Sequence, residues 1–237
     1  MARPREFDET AVLNAATELF WTRGFEAASS RELADRMGLT TASLYNAYND
    51  KRALYRQVLQ RYAGGALDWC GESLAGDKPA LEAFQAFFSA LAKEGAADRD
   101  RKGCLIVNAG LETAPHDPEF KAIVAGVFRR LERMFRDCLV RGQAEGSVTR
   151  AQSADALAKV LLGVMLGIRV LARTRPERAL LEGLARTATE LLKPRPADER
   201  AGGDVRNARA GRARRAFPSA DDSRPGRRSP RVPRASR

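Results

Sequence analysis

The fold class predicted by the sequence is all-α. Apolar residues recur at helical spacing in almost every segment up to residue 193, and residues suited to capping or stopping a helix stand at the segment ends. No stretch keeps a period-two alternation, so no strand is expected. The 237 residues are 44% hydrophobic and 30% charged, the balance of a globular chain with a sizeable core.

Val12, Ala16, Leu19 and Phe20 form one face of a first helix, which Asp8 can cap and Gly24 can end. Ser29 and Glu32 have the spacing of a capping box: the hydroxyl can accept from the Glu32 amide while the carboxylate reaches back. Leu33, Ala34 and Met37 give that short second helix an apolar side, and Gly38 suits a left-handed C-terminal cap. Thr40 can cap a third helix carrying Leu44, Tyr45 and Tyr48. A fourth runs from about Lys51 through Leu54, Val58, Leu59 and Tyr62 towards Trp69. Beyond residues 71–77, Pro79 reads as a first-turn proline ahead of Leu81, Phe84, Phe88 and Leu91. Residues 103–113 read as a compact apolar helix holding Cys104, Asn108 and Glu112. Asp117-Pro118 opens a long amphipathic helix, and residues 153–173 and 176–192 form the last two. The expected organisation is a three-helix N-terminal domain over residues 1–50, a larger helical domain over 51–193 and a tail over 194–237.

The net charge of +11 is unevenly placed. Residues 194–237 hold 13 arginines against five acids, a surplus of +8 that leaves only +3 for the rest. That tail has one aromatic, Phe217, and two larger aliphatics, Val205 and Val232, too little to offset ordering entropy, so disorder is expected. It could add salt-dependent attraction to phosphates or be a solvated extension. Cys70, Cys104 and Cys138 show no CxxC pairing and the single histidine is His116, which argues against a zinc site or a disulfide framework. No cofactor is expected. The N-terminus lacks the apolar stretch of a signal peptide, and the most apolar run, residues 160–168, is too short to span a bilayer, so a cytoplasmic protein is expected. An enzyme would need convergent titratable groups; His116, Glu112 and the thiols lack motif spacing, and catalysis is not expected.

Two short helices joined through Gly38-Leu39 have the proportions of a helix-turn-helix, whose second helix lies in the major groove with its N-terminal residues on base edges. Thr41, Ala42, Ser43 and Asn46 suit close approach, hydroxyl hydrogen bonds and contact with a thymine methyl. Tyr45 offers a phenol to a phosphate, Lys51 a cation, and Arg31 a phosphate or guanine contact. The alternative at this level is an ordinary three-helix core whose small residues permit tight packing.

The run from Phe7 to Leu13, the stretch Gly24-Phe25-Glu26-Ala27, and the continuous segment from Arg31 to Lys51 closely resemble the DNA-binding domain of the TetR family of regulators. The most specific part is Gly38-Leu39-Thr40, Ser43-Leu44-Tyr45 and Lys51 in that order. The resemblance implies an all-α homodimer, a variable ligand-binding domain after the fourth helix, and release from an operator when ligand binds. By it, Arg31, Thr41, Ala42, Ser43, Tyr45, Asn46 and Lys51 are the DNA-contact candidates. Tyr48 stands where the family more often has Phe, and is expected to remain a core aromatic with its hydroxyl at the rim.

The segment Lys102-Gly103-Cys104-Leu105-Ile106-Val107-Asn108, continuing to Glu112 and Asp117-Pro118, is similar to the sixth-helix region of one TetR branch in which some members respond to electrophiles or oxidants through a cysteine. Cys104, beside Lys102 and a helix start, is therefore either a reactive thiol or a buried structural one. Asn108 and Glu112 lie on the same side as Cys104 and could orient a ligand or bond to neighbouring backbone. Trp69, Phe88, Phe128 and Phe135 line a ligand pocket or belong to the core. Leu157, Val160, Leu161, Val164, Met165, Ile168 and Leu171, then Leu180, Leu181, Leu184 and Leu191, with Gly163 and Gly167 four apart, predict either an internal hairpin or, as the resemblance implies, a four-helix dimer interface. The expected partners are thus an operator DNA, a small-molecule effector of unknown identity and a second copy of the chain, with no membrane. The rival readings are a thiol-based sensor and a non-specific DNA-coating protein driven by the tail.

Overall fold

The computed structural model describes residues 8–194, and the expectations for the tail lie outside them. Among the described residues there are nine helices and no strand. In chain order they are α1 (Glu9–Arg23), α2 (Ser30–Arg36), α3 (Thr41–Tyr48), α4 (Lys51–Leu74), α5 (Ala80–Ala97), α6 (Leu105–Glu112), α7 (Pro118–Glu145), α8 (Ala154–Thr174) and α9 (Arg178–Glu190).

Side-chain caps start most of them. Asp8 accepts from the amides of Thr10 and Ala11, Ser29 from Glu32, Thr40 from Ser43, Asp50 from Ala53, Asp117 from Glu119 and Phe120, and Ser153 from Ala156. Such caps satisfy amides that the first helical turn leaves orphaned. The capping box is half formed: the Glu32 carboxylate faces Arg23 at 3.5 Å. Helix α5 is capped from a distance. Pro79 occupies its N-cap, ahead of the first turn, and Glu145 at the end of α7 accepts from the Ala80 amide at 2.7 Å.

Helix α4 continues past Trp69 and through Gly71, because Cys70 and Leu74 are buried on the stripe that includes Leu67. Burial pushes the Cys70 thiol up to about 12, so it behaves as a small apolar side chain. Helix α6 begins two residues later than the sequence suggests. Gly103 has a φ of +66°, outside the helical path, and its amide is held by the Asp98 carboxylate at 2.7 Å. Cys104 consequently sits at the N-cap and makes no capping hydrogen bond.

Helices α1 to α3 pack on the first half of α4. Tyr55 of α4 lies 4.8 Å from both Phe20 and Phe25, and 5.1 Å from Phe120 of α7. The buried side chains therefore run without a break from the N-terminal helices into the body, and α4 belongs to both. In the body α5 packs against α9, and α7 against α8 and α4. Phe84, Phe87, Phe88 and Phe135 form its aromatic centre.

Helix α8 has two apolar faces. Leu157, Leu161, Met165 and Ile168 are buried in the body. Val160 and Val170 point outward with Gly163 and Gly167 between them. A Cβ built at either glycine meets no described atom within 4 Å. Gly183 of α9 is equally open and Leu191 is exposed.

Candidate nucleic-acid interface and its fastening to the body

The turn between α2 and α3 is set by Gly38, whose φ of +67° is costly for residues with a Cβ. Its amide donates to Asp35, and the Leu39 amide to Ala34. Leu44 and Tyr48 anchor α3 inward, which leaves Thr41, Ala42, Ser43, Tyr45 and Asn46 exposed on one surface. Tyr48 is buried together with its hydroxyl oxygen, so the hydroxyl is not at the rim. Its position one turn after Leu44 places the whole ring on the inward stripe.

The phenol of Tyr45 donates to the Ser30 hydroxyl at 2.6 Å, beside exposed Arg31. Tyr45, Ser30 and Arg31 thus stand together at the start of α2, flanking the exposed surface of α3. Ser30 carries no signal of its own in the sequence; only the bond from Tyr45 singles it out.

Lys51 is placed differently from the other six candidates. Its ammonium donates to the carbonyls of Ala28 at 3.1 Å and Glu26 at 3.4 Å, and lies 4.5 Å from the centre of the Phe25 ring. It braces the loop between α1 and α2.

The same loop is gripped from the body. The Glu26 amide donates to the Glu112 carboxylate at 3.0 Å, and a Cβ at Gly24, where φ is +82°, would meet that carboxylate at 2.8 Å. At the other end of α6 the Lys102 carbonyl accepts from Trp21 Nε1 of α1 at 3.1 Å and from Asn108 Nδ2 of α6 at 2.9 Å. The Lys102 ammonium pairs with Glu18 of α1 at 3.1 Å and lies 5.0 Å from the Trp21 ring. Asn108 and Glu112 both bond to backbone groups, Asn108 to the Lys102 carbonyl and Glu112 to the Glu26 amide. Trp21 and Glu18, separated from Lys102 by more than 80 residues, were not legible as partners.

A third attachment joins α4 to the start of α7. Arg52 bonds Asp117 through two nitrogens at 2.8 and 3.0 Å, and Glu119 bonds Arg52 at 2.6 Å and Arg56 at 2.9 Å. The Arg52 hydrogen bonds, helped by two backbone amides, hold the Asp117 carboxyl down at about 2, against an ordinary value of about 3.9. A depressed carboxylate stabilises the fold above its unfolded value, and that stabilisation is lost as pH falls through the folded one. Asp117→Asn keeps a competent cap but removes the charge. The variant is expected to have a lower urea midpoint than the parent at pH 7, and the two midpoints should converge as pH drops from about 4 to about 2. An unchanged gap across an acid titration would show that the pair adds nothing.

Trp69, Cys104 and Phe128 line an apolar pocket of about 50 Å³ in the body, whereas Phe88 and Phe135 are core. Cys104 is half-buried, and the nearby ammonium of Lys102 is directed to Glu18.

The nine helices of the described residues, with an exposed α3 surface on a helix-turn-helix fastened to a helical body, define a DNA-binding regulator of transcription. Residues 12–58 match the bacterial regulatory proteins of the tetR family, and residues 80–187 match the C-terminal domain of LmrA/YxaF-like transcriptional regulators. Similar proteins include the uncharacterized HTH-type transcriptional regulator YezE of Bacillus subtilis, 30% identical over 77% of this chain and 94% of its own length. The HTH-type transcriptional repressor ComR of Escherichia coli is 28% identical over 81% and 90%. Among solved structures, a cysteine mutant of the TetR family transcriptional regulator CifR, complexed with 26-bp double-strand operator DNA, is 28% identical with a TM-score of 0.72, over 81% of this chain and all of that one. The chain belongs to the TetR family.

Proposed function

We propose that this regulator is a ligand-responsive repressor that binds a pseudo-palindromic operator as a homodimer and leaves it when a small molecule occupies the helical body. The observation that carries the reading is the fastening of α6 at both ends: Lys102 to Trp21 and Glu18, Glu112 to Glu26. A ligand that displaces α6 must strain or break bonds to α1 and to the loop before α2. Differential contacts of this kind supply coupling of typically ~1–3 kcal/mol between sites. The outward stripe of α8, with Val160, Gly163, Gly167 and Val170, is the surface through which two copies would pair. Two reading helices one turn of DNA apart then require half-sites ~34–36 Å apart. The repressors among the relatives support the direction of control, and the operator complex of CifR supports operator DNA as the partner. No helix among the described residues is long and apolar enough to cross a membrane.

The test is selection of bound sites from random DNA with the full-length protein, followed by variants. Thr41→Ala or Asn46→Ala is expected to change which bases are preferred, because groove contacts carry the sequence information. Tyr45→Phe is expected to weaken binding evenly across sequences, by roughly fivefold, as loss of a backbone-positioning hydroxyl should. Lys51→Ala is expected to lower affinity and thermal stability together, since its ammonium holds the loop. Failure to enrich any sequence would refute the proposal.

A further inference from the structure

A cleft of about 490 Å³ opens where the N-terminal helices meet the body, between α1, α4, α5 and α8. Trp21, Tyr62 and Trp69 supply aromatic surface, and Arg61, Arg169 and Glu94 supply the charge. Its volume is in the range of small-molecule sites, and its mixture of rings with a few charged groups is their usual chemistry.

Two guanidiniums against one carboxylate leave the cleft positive. Arg169 is the buried member of its ion pair, with a side chain 14% exposed, and Glu94 at 3.0 Å is 58% exposed. Glu94 is therefore the partner that can swing into water at small cost, while Arg169 must keep an anion beside it. A ligand carboxylate can replace Glu94 and use the planar fork of the guanidinium with two hydrogen bonds. Trp69 and Arg169 also border the adjoining apolar pocket of about 50 Å³, room for a small hydrophobic substituent.

We infer that this cleft binds a planar organic acid, its ring against Trp21, Tyr62 and Trp69 and its carboxylate on Arg169 in place of Glu94. The inference rests on the reading of the chain as ligand-responsive and names the class of effector. It also supplies a route to the DNA. Trp21 is both a wall of the cleft and the donor to the Lys102 carbonyl, so a ring wedged against the indole acts directly on the fastening between α1 and α6.

The chain has two tryptophans, Trp21 and Trp69, and both line the cleft, so their emission reports on occupancy. The full-length protein is titrated with benzoate, trans-cinnamate and 2-naphthoate, each beside its primary amide, by tryptophan emission and calorimetry. At least one acid should bind and its amide should bind more than about tenfold more weakly, the cost of leaving the guanidinium without an anion. Arg169→Gln should weaken the acid by roughly tenfold to a hundredfold and bring the acid and its amide to within about threefold of each other. Glu94→Gln should tighten the acid by about threefold or more, a gain that a damaged fold would not produce. The inference is overturned if no acid binds, if acids and amides bind alike, or if Glu94→Gln leaves acid affinity unchanged. Release of the selected operator is measured separately. Acid binding without release keeps this site and refutes ligand response, whereas release by other compounds with no acid binding refutes this site alone.

Discussion

Gly24→Ala is expected to destabilise the protein by about 2 kcal/mol, read as a lower urea midpoint at constant slope. Two causes add. The φ of +82° is strained for any residue with a Cβ, at a cost of ~1–2 kcal/mol. The new methyl would also stand 2.8 Å from both oxygens of Glu112, and that flexible side chain must move away from the Glu26 amide. The two causes separate in a double-mutant cycle. Glu112→Ala alone should cost about 1 kcal/mol, the worth of one hydrogen bond. In the Gly24→Ala background the same change should cost almost nothing, because the bond is already displaced. Strict additivity would mean that the carboxylate does not hold the loop.

With two copies paired through α8 as proposed, Gly163→Arg is expected to yield a monomer and to weaken operator binding by at least ~100-fold, the loss that follows when two linked half-site contacts become independent. Gly163 is exposed, and a Cβ there meets nothing of its own chain, so the arginine is tolerated within one copy. Between two copies it would bring a charge into an apolar seam bordered by Val160 and Val170. Sedimentation reads the assembly state, circular dichroism confirms that helix content is kept, and gel shift reads the DNA. A variant that still sediments as a dimer would remove α8 from the interface.

The features legible in the sequence are those whose causes are local. Asp8, Ser29, Thr40 and Asp117 each bond amides two or three residues away, and the fold places every one as a cap. The inward stripe of α3 and the left-handed Gly38 follow from spacing and from the chirality of the backbone. The α8 list was legible as apolar but not as two-faced, since spacing alone does not say which side a neighbour covers. The remaining gaps are non-local. The site of Lys51 depends on carbonyls more than 20 residues earlier, and Trp21 and Glu112 meet partners more than 80 residues away. Arg169 gave no periodic or motif signal, and its importance appears only when four helices converge on one cleft.

Helix α4 has a mechanical property of its own. It is unbroken from Lys51 to Leu74, yet Gly64 and Gly65 stand side by side near its middle with no described atom close to where their Cβ atoms would be. Glycine lowers helical stability by about 1 kcal/mol relative to alanine, so this is the softest point of a lever whose far arm carries the helix-turn-helix. The arm from Gly64 back to Lys51 is ~20 Å long at the helical rise, and a bend of about 10° there swings its tip by ~3 Å. If two copies pair symmetrically, as proposed, the two tips move oppositely, and the doubled offset approaches two base-pair steps of ~3.4 Å each.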